Sequence, residues 1–141
     1  MRRGITAKRL DPQFQDLERR KIAYYSATQF PLIKVVDIAT YIQYGISERA
    51  NTDELGVPMI RMINLQANGW ELSDLKHIEL EGEVLDRYRL EREDLLFNRT
   101  NSKELVGKCE VFEQDGDWVF ASYLIRVRID KQKALPVVVA I

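Results

Sequence analysis

Six consecutive polar side chains lie between two apolar segments near position 100. An arginine pairs through two hydrogen bonds with guanine and an asparagine with adenine, while serine, threonine and lysine contact phosphates or base edges. Asparagine, threonine and serine are equally common in tight turns and caps. The segment is therefore a candidate contact loop, and a purely structural turn stays open as the alternative. Its members are Asn98, Arg99, Thr100, Asn101, Ser102 and Lys103.

Four residues in the first half of the chain form a second tier of candidate contacts: Tyr44, Ser47, Arg49 and Arg61. Tyr44 precedes Gly45, and its ring could stack on a base or a sugar, or be buried in a turn. Arg61 lies within an apolar segment, where a charged side chain needs a partner. That partner is either a carboxylate of the protein or a phosphate of a ligand.

The sequence lacks the motifs of the common enzyme classes. It has no phosphate-binding G-x-x-x-x-G-K-[ST], no dinucleotide-binding G-x-G-x-x-G and no nucleophile elbow G-x-S-x-G. The Asn-Pro-Pro-aromatic motif expected of an adenine methyltransferase is also absent. His77 and Cys109 are the only histidine and cysteine, too few for a zinc site or a triad. The acidic residues between positions 71 and 86 have the basic neighbours Lys76, Arg87, Arg89 and Arg92, which favours a solvated surface over a metal cluster. We therefore predict no catalytic residue, no metal and no cofactor.

Size and charge restrict the class of protein further. A chain of 141 residues supports one domain with a single core. Its 21 basic and 22 acidic side chains leave a net charge of −1, whereas binding through phosphate attraction favours a basic excess. A local basic face, or partner subunits that contact the phosphates, is compatible with this balance. The single cysteine and the lack of a signal core or long apolar run predict a cytoplasmic protein that does not enter a membrane.

The first half of the chain must position the second-tier residues. Residues 1–10 are predicted to be a flexible basic lead-in, and an Asp-Pro pair starts a helix over 11–27. The remaining elements follow from apolar alternation and turn-forming residues. Strands are expected at 32–36, 58–64 and 77–80, a strand end or helical turn at 36–42, a loop at 43–55, a turn at 67–69 and a helical turn at 84–88.

The second half is predicted to be β-structure. A strand at 94–97 leads into the polar loop, and a strand at 105–112 follows it. Residues 114–117, with the sequence QDGD, are typical of a hairpin that leads into a long strand over 118–129. The tail at 137–141 is expected to be a core strand. The fold class is thus α+β, a single domain with one N-terminal helix on a mostly antiparallel, curved sheet.

Two further arginines lie in the last long strand. Arg126 and Arg128 share one face and are about 7 Å apart, a distance set by the rise of a strand. This spacing suits phosphates, and it suits a solvated sheet face equally well.

Three blocks of the sequence resemble a known family in their order and spacing. They are similar to the target-recognition domains in the DNA-specificity subunits of type I restriction–modification systems, and the resemblance covers about residues 30–130. The blocks are QYGIS at 43–47 with GVPMIRMINLQ at 56–66, DLLFNRTNS at 94–102 with ELVGK at 104–108, and FASYLIR at 120–126.

The resemblance implies a non-catalytic component that recognises double-stranded DNA and directs partner methyltransferase and nuclease subunits. Full-length members carry two recognition domains separated by long helices. Residues 1–30 are then a lead-in with the helix, and residues 31–141 a recognition domain truncated before the spacer helix. Expected partners are double-stranded DNA, methyltransferase subunits of the same system, and a second recognition half or a second copy of the chain.

Two other functions stay open. The chain could be a degenerate half-subunit that binds proteins without recognising DNA, which its near-neutral charge favours and its intact polar loop disfavours. A cryptic nuclease is opposed by the lack of a metal-binding constellation. The bases recognised do not follow from the sequence, because recognition loops in such domains vary with the target.

Overall fold

The computed structural model describes residues 32–66, 69–99 and 106–140, and four single positions at 19, 20, 23 and 27. From Val35 onward the chain forms one compact unit. The described part of this unit contains three short α-helices, a 3-10 helix and nine strands. These are α1 (Val35–Ile38), β1 (Ala39–Tyr44), β2 (Val57–Ile60), the 3-10 helix (Met62–Asn64), β3 (Leu65–Gln66), β4 (Gly69–Trp70), β5 (Lys76–Ile78), α2 (Gly82–Tyr88), β6 (Leu95–Asn98), β7 (Cys109–Val111), β8 (Val119–Phe120), β9 (Leu124–Ile129) and α3 (Pro136–Val139).

The largest sheet in the described residues has four strands in the order β1-β9-β6-β7, and each neighbouring pair is antiparallel. β1 has a register shift between Ala39 and Tyr41, so it bends as it pairs with β9. Further along, Tyr44 lies opposite Ile125, and on the other side of β9 Asn98 lies opposite Leu124. The C-terminal ends of β1 and β6 therefore meet at the start of β9.

A second sheet has the order β5-β2-β8. β2 pairs with β5 in the antiparallel sense and with β8 in the parallel sense, with Met59 opposite Val119. Parallel strands need a long crossover connection, and here everything from the 3-10 helix to β7 lies between them. β3 and β4 form a separate two-stranded ladder.

The main core contains residues from both of these sheets and is built on aromatic contacts. Phe112 is fully buried, and the rings of Trp70 and Trp118 meet it edge-on at centroid distances of 6.2 and 6.0 Å. Such contacts add to the free energy gained by burying the rings. The other buried members of this cluster are Ile60, Leu65, Leu90, Leu96, Phe120 and Leu124.

One arginine lies inside the protein. The side chain of Arg126 is 2% exposed, and its guanidinium donates to the backbone carbonyls of Arg87 and Arg89 and to the side-chain oxygen of Gln43. The carboxylate of Asp94 lies 3.8 Å from it. Burial lowers the pKa of Arg126, and the charge of Asp94 opposes that shift. A buried charge needs such partners, so Arg126 is a structural residue.

The α+β fold class is confirmed, with antiparallel pairing predominant. Most of the predicted helix over 11–27 lies outside the described residues. In place of one curved sheet, the described residues form three small ones. The expected strands at 77–80 and 94–97 and the helical turn at 84–88 correspond to β5, β6 and α2.

Several predictions for local structure are wrong. Residues 32–36 are not a strand, because α1 begins at Val35, and Asn64 and its two predecessors form the 3-10 helix instead of prolonging β2. The tail is helical over Pro136–Val139. The QDGD turn at 114–117 does not form a hairpin, because β7 pairs with β6 while β8 pairs with β2.

The long strand predicted over 118–129 is interrupted by a turn at Ser122 and Tyr123. The part before the turn belongs to the smaller sheet and the part after it to the larger sheet. The predicted solvated face is also wrong for Arg126, because its side chain is 2% exposed and its terminal nitrogens are bound to groups of the protein. Arg128 is partly exposed and pairs with Asp94 at 2.7 Å.

Candidate nucleic-acid interface

Three segments of the chain converge where β1 and β6 end. The backbone N–H of Ile46 donates to the carbonyl of Phe120 at 2.8 Å, and that of Ser122 donates to Ile46 at 2.8 Å. The N–H of Arg99 donates to the carbonyl of Tyr123 at 3.1 Å. The turn at Ser122 and Tyr123 thus ties the residues after β1 to those after β6.

Gly45 permits this close approach. A Cβ atom at this position would lie 2.3 Å from the carbonyl oxygens of both Phe120 and Ala121. Such a distance is far inside van der Waals contact, and the obstructing atoms are backbone atoms that cannot rotate away. A side chain at Gly45 would therefore separate Tyr44 from the 120–124 segment.

Asn98 forms the base of the polar loop. Its backbone N–H donates to the carbonyl of Lys108 at 2.8 Å, and its carbonyl accepts from Gly107 at 2.9 Å. The side chain is fully buried. The predicted contact role does not suit a side chain without exposed surface, so Asn98 is better assigned to closing the loop, the structural alternative.

Arg99 and Tyr44 form an exposed pair above this base. The guanidinium carbon of Arg99 lies 4.9 Å from the centroid of the Tyr44 ring, which is within the range of a cation–π contact. The Nε–H of Arg99 donates to the carbonyl of Ser122 at 3.1 Å. Tyr44 is 58% exposed, so the alternative that it is buried in a turn is wrong. The rest of the predicted loop, Thr100, Asn101, Ser102 and Lys103, lies outside the described residues.

A cavity of about 320 Å³ adjoins the pair. Three cationic side chains line it, Arg49, Arg61 and Lys76, together with the hydroxyl-bearing Ser47 and the acidic Glu48. Arg49 and Ser47 are exposed and Lys76 is half-buried. Ser122 and Tyr123 also line the cavity. The same turn therefore contributes to the cavity wall and holds Arg99.

The sequence left open whether Arg61 pairs with a carboxylate of the protein or with a phosphate of a ligand. In the structure it pairs with the carboxylate of Asp74. Its Nη2 lies 3.1 Å from Oδ2 of Asp74 and donates to the Asp74 carbonyl at 2.9 Å. The buried Asn64 supports this arrangement, because its side chain accepts from the Arg61 N–H and donates to the Asp74 carbonyl. Arg61 is thus held rigidly at the cavity wall, and its charge is partly neutralised.

Arg49 and Lys76 differ from Arg61 in ion pairing. Within the described residues, neither forms an ion pair, whereas Arg61 does. A cation without a protein partner on a concave surface is available to an anion, and a phosphate is the anion that such side chains commonly contact in nucleic-acid complexes. Glu48 reduces the net positive charge of the cavity.

The structure brings together five of the predicted site residues and adds three that sequence reasoning missed. Arg99 and Tyr44 form the pair, and Ser47, Arg49 and Arg61 line the cavity. The three additions are Lys76, Ser122 and Tyr123. Ser122 and Tyr123 belong to the block at 120–126 that resembles the recognition domains, so the sequence could have identified them as candidates. No motif marks Lys76.

The single cysteine lies apart from this surface, on β7. Burial raises the pKa of the Cys109 thiol to about 11, and the neighbouring charge of Glu110 adds to the shift. A thiol with such a pKa is protonated and a poor nucleophile at neutral pH. Within the described ranges, no cluster of three or more His, Cys, Asp or Glu side chains is arranged to hold a metal ion. None of the helices in those ranges has the length and apolar character needed to cross a membrane.

These features define a small α+β unit, in which a polar surface is built where strands end. No family model matches the sequence. Two curated relatives do: the specificity subunit of the type I restriction enzyme EcoKI from Escherichia coli, 32% identical over 110 residues, and the putative specificity subunit of the type I restriction enzyme MjaX from Methanocaldococcus jannaschii, 28% identical over 102 residues.

The matches cover 76% and 71% of this chain, and 24% of each relative. The chain therefore spans about a quarter of the length of the curated relatives that it matches. The resemblance seen in the sequence blocks is confirmed, and the chain is similar to a part of these two specificity subunits, in keeping with a partial target-recognition domain.

Proposed function

We propose that this unit recognises a sequence in double-stranded DNA as part of a type I specificity subunit. The observation that carries the proposal is the exposed Arg99, held over Tyr44 and beside a cavity lined by Arg49 and Lys76, two cations that form no ion pair within the described residues. Arginine is the residue most often used to distinguish guanine in the major groove. The two relatives are specificity subunits, which supports a recognition role for this unit. The proposal assigns no catalytic step to it.

The proposal distinguishes contacts to base edges from contacts to the phosphate backbone. Arg99 and the polar side chains from Thr100 to Ser102 recognise base edges, and Ser47, Arg49, Lys76 and Lys103 contact the phosphate backbone. Phosphate contacts fix the register of a protein on the duplex without carrying sequence information. A local group of cations can do this although the whole chain has a net charge of −1. In this proposal Arg61 adds a fixed, partly neutralised positive charge to the cavity wall, because Asp74 holds its side chain.

The proposed partners are those that the resemblance implies: methyltransferase subunits of the same system and a second recognition half. One half of a bipartite reader binds weakly, because a tethered second site raises affinity through effective concentration without any new contact. We therefore expect weak, salt-sensitive binding by the 141-residue chain alone. Adding the methyltransferase subunit is expected to tighten it.

Selection from a randomised duplex pool tests the proposal. The purified chain is expected to enrich a short common sequence, with and without the methyltransferase subunit. Anisotropy titrations then compare an enriched duplex with a scrambled one at several salt concentrations. A pool that remains random in both arms would rule out DNA recognition by this unit.

A second candidate function, protein interaction without DNA recognition, has one observation in its favour. An apolar groove of about 530 Å³ runs along the four-stranded sheet and is lined by Val35, Ile42, Phe97, Cys109 and Val139, among others. Apolar surface of this kind often marks a docking site. Co-elution with methyltransferase subunits, combined with an unselected DNA pool, would favour this function over the first.

A further inference from the structure

We propose that Tyr44 is a positioning residue, which orients Arg99 so that its two terminal nitrogens hydrogen-bond to a guanine edge. This inference rests on the proposed function and deepens it. It assigns to Tyr44 an action through another side chain, in place of direct stacking on a base. It also names guanine as the base that Arg99 recognises.

Three contacts restrict Arg99. Its backbone N–H is bound to Tyr123, its Nε–H is bound to the Ser122 carbonyl, and its guanidinium lies 4.9 Å from the Tyr44 ring centroid. Both hydrogen-bond acceptors belong to one turn, which the core holds through the fully buried neighbours Phe120 and Leu124. An exposed arginine is ordinarily free to adopt many rotamers, and fixing one of them lowers the entropy lost on binding.

The donors that remain free match one geometry of recognition. Nε is occupied by Ser122, while within the described residues no hydrogen bond or ion pair engages Nη1 or Nη2 of Arg99. The two terminal nitrogens form a planar fork, and guanine offers two acceptors, O6 and N7, on its major-groove edge. Adenine offers one acceptor and one donor there, so the same fork cannot bond to it twice.

Tyr44 is suited to holding the guanidinium. It lies opposite Ile125 in the ladder between β1 and β9, so its backbone is fixed, and Gly45 keeps it close to the 120–124 segment. One face of its ring is already occupied by Arg99. A phenylalanine retains the aromatic face that attracts the cation, whereas leucine retains only bulk.

A double-mutant cycle on the enriched duplex tests the proposal. Tyr44→Leu is expected to weaken binding about two- to fivefold, in line with an exposed cation–π contact, and Tyr44→Phe to leave it unchanged. In the Arg99→Ala background, Tyr44→Leu is expected to have no further effect, because its action passes through Arg99. Equal losses in both backgrounds would show that Tyr44 contacts DNA itself and would overturn the inference.

Modified duplexes test the base class. Replacing each guanine in turn by 7-deazaguanine removes the N7 acceptor. At one position it is expected to weaken binding by the native chain and to have no effect on Arg99→Ala. Methylphosphonate linkages remove phosphate charge at single positions. If they abolish the effect of Arg99→Ala and deazaguanine does not, Arg99 contacts a phosphate and the inference is wrong.

A measurement without DNA separates positioning from general stability. In NMR spectra, the Nε–Hε signal of Arg99 is expected to carry a ring-current shift that Tyr44→Leu removes and Tyr44→Phe keeps. Arg92→Ala serves as the control, because that exposed arginine pairs with Asp115 away from the site. A pool that stays random with the native chain would overturn the proposed function and this inference together, whereas specific binding with an additive cycle would overturn the inference alone.

Discussion

Among the arginines that lie over tyrosines of β1, Arg126 and Arg99 have sharply different surroundings. Arg126 lies 5.2 Å from the ring of Tyr41 and is 2% exposed, with backbone carbonyls and a carboxylate around it. Arg99 lies 4.9 Å from the ring of Tyr44, is exposed, and is held by one carbonyl through Nε. An arginine–tyrosine contact therefore does not indicate a function by itself.

The difference lies in which donors are satisfied. The terminal nitrogens of Arg126 are bound to Arg87, Arg89 and Gln43, so it holds α2 and β1 against β9. The terminal nitrogens of Arg99 have no such bonds within the described residues. Substitutions at the two positions are expected to affect different properties. Replacing Arg126 is expected to lower folding stability, and replacing Arg99 to lower DNA affinity.

The largest expected effect follows replacement of Arg126. Arg126→Met leaves several buried acceptors without a donor, and removing one partner of a buried charge pair costs about 3–5 kcal/mol of the free energy of unfolding. Asp94 keeps Arg128 as a partner, so the lower end of that range is expected. Urea denaturation measures the loss, with the surface variant Arg92→Met as control. A loss below about 1 kcal/mol would contradict a structural role.

Replacement of Arg99 is the converse test. Arg99→Ala is expected to cost about 1–3 kcal/mol of binding free energy on the enriched duplex and to relax the preference at one base pair. The free energy of unfolding should change by no more than about half a kcal/mol, because the side chain is exposed. Anisotropy titrations and thermal melts on the same samples give both quantities. Lower stability with unchanged affinity per folded molecule would make Arg99 a turn residue.

A smaller and less specific effect is expected at the cavity. Lys76→Ala should weaken binding to enriched and scrambled duplexes alike and reduce the slope of log affinity against log salt by about one unit. Lys103→Ala, in the part of the loop outside the described residues, is expected to behave in the same way. Titrations at four or more salt concentrations measure the slope. A loss confined to the enriched duplex would move Lys76 into the base-contacting group.

The smallest effect concerns Cys109, in the sheet that Arg126 supports. Its pKa is raised from 9.0 to about 11, so the folded state binds the thiol proton more tightly than the unfolded state does. The corresponding stability is present below pH 9 and is lost as the pH rises towards 11. Alkylation by iodoacetamide is accordingly expected to be slow at pH 8 and to accelerate above pH 10. Rapid alkylation at pH 8 in the folded protein would contradict this burial.

Local patterns in the sequence predicted the fold only where neighbouring residues decide the structure. β6 coincides with a short apolar run beside the polar loop and α2 with the predicted helical turn, and both were predicted to within one or two residues. The strand predicted over 118–129 was wrong in one respect that matters for function. Its alternation is regular, but Ile46 forms a bridge with Ala121, and the chain turns there to pass from one sheet to the other.

The candidate site was predicted in a similarly partial way. Polar composition and the resemblance to specificity subunits identified Arg99, Tyr44 and Arg49. Lys76 was missed because only the pairing of β5 with β2 brings it to the cavity. Asn98 was predicted to contact a ligand but is buried, since β6 extends one residue further than the polar run suggests.

The amino-acid sequence by itself determined the α+β class, the family resemblance and the polar residues available for contact, because composition, periodicity and short motifs are properties of neighbouring residues. Only the tertiary structure decided which arginine is interior and which is exposed. Arg99 and Arg126 belong to equally recognisable blocks, and they differ in the strands and carbonyls that surround them. Burial and hydrogen-bond partners come from segments distant in the chain, so no local pattern encodes them.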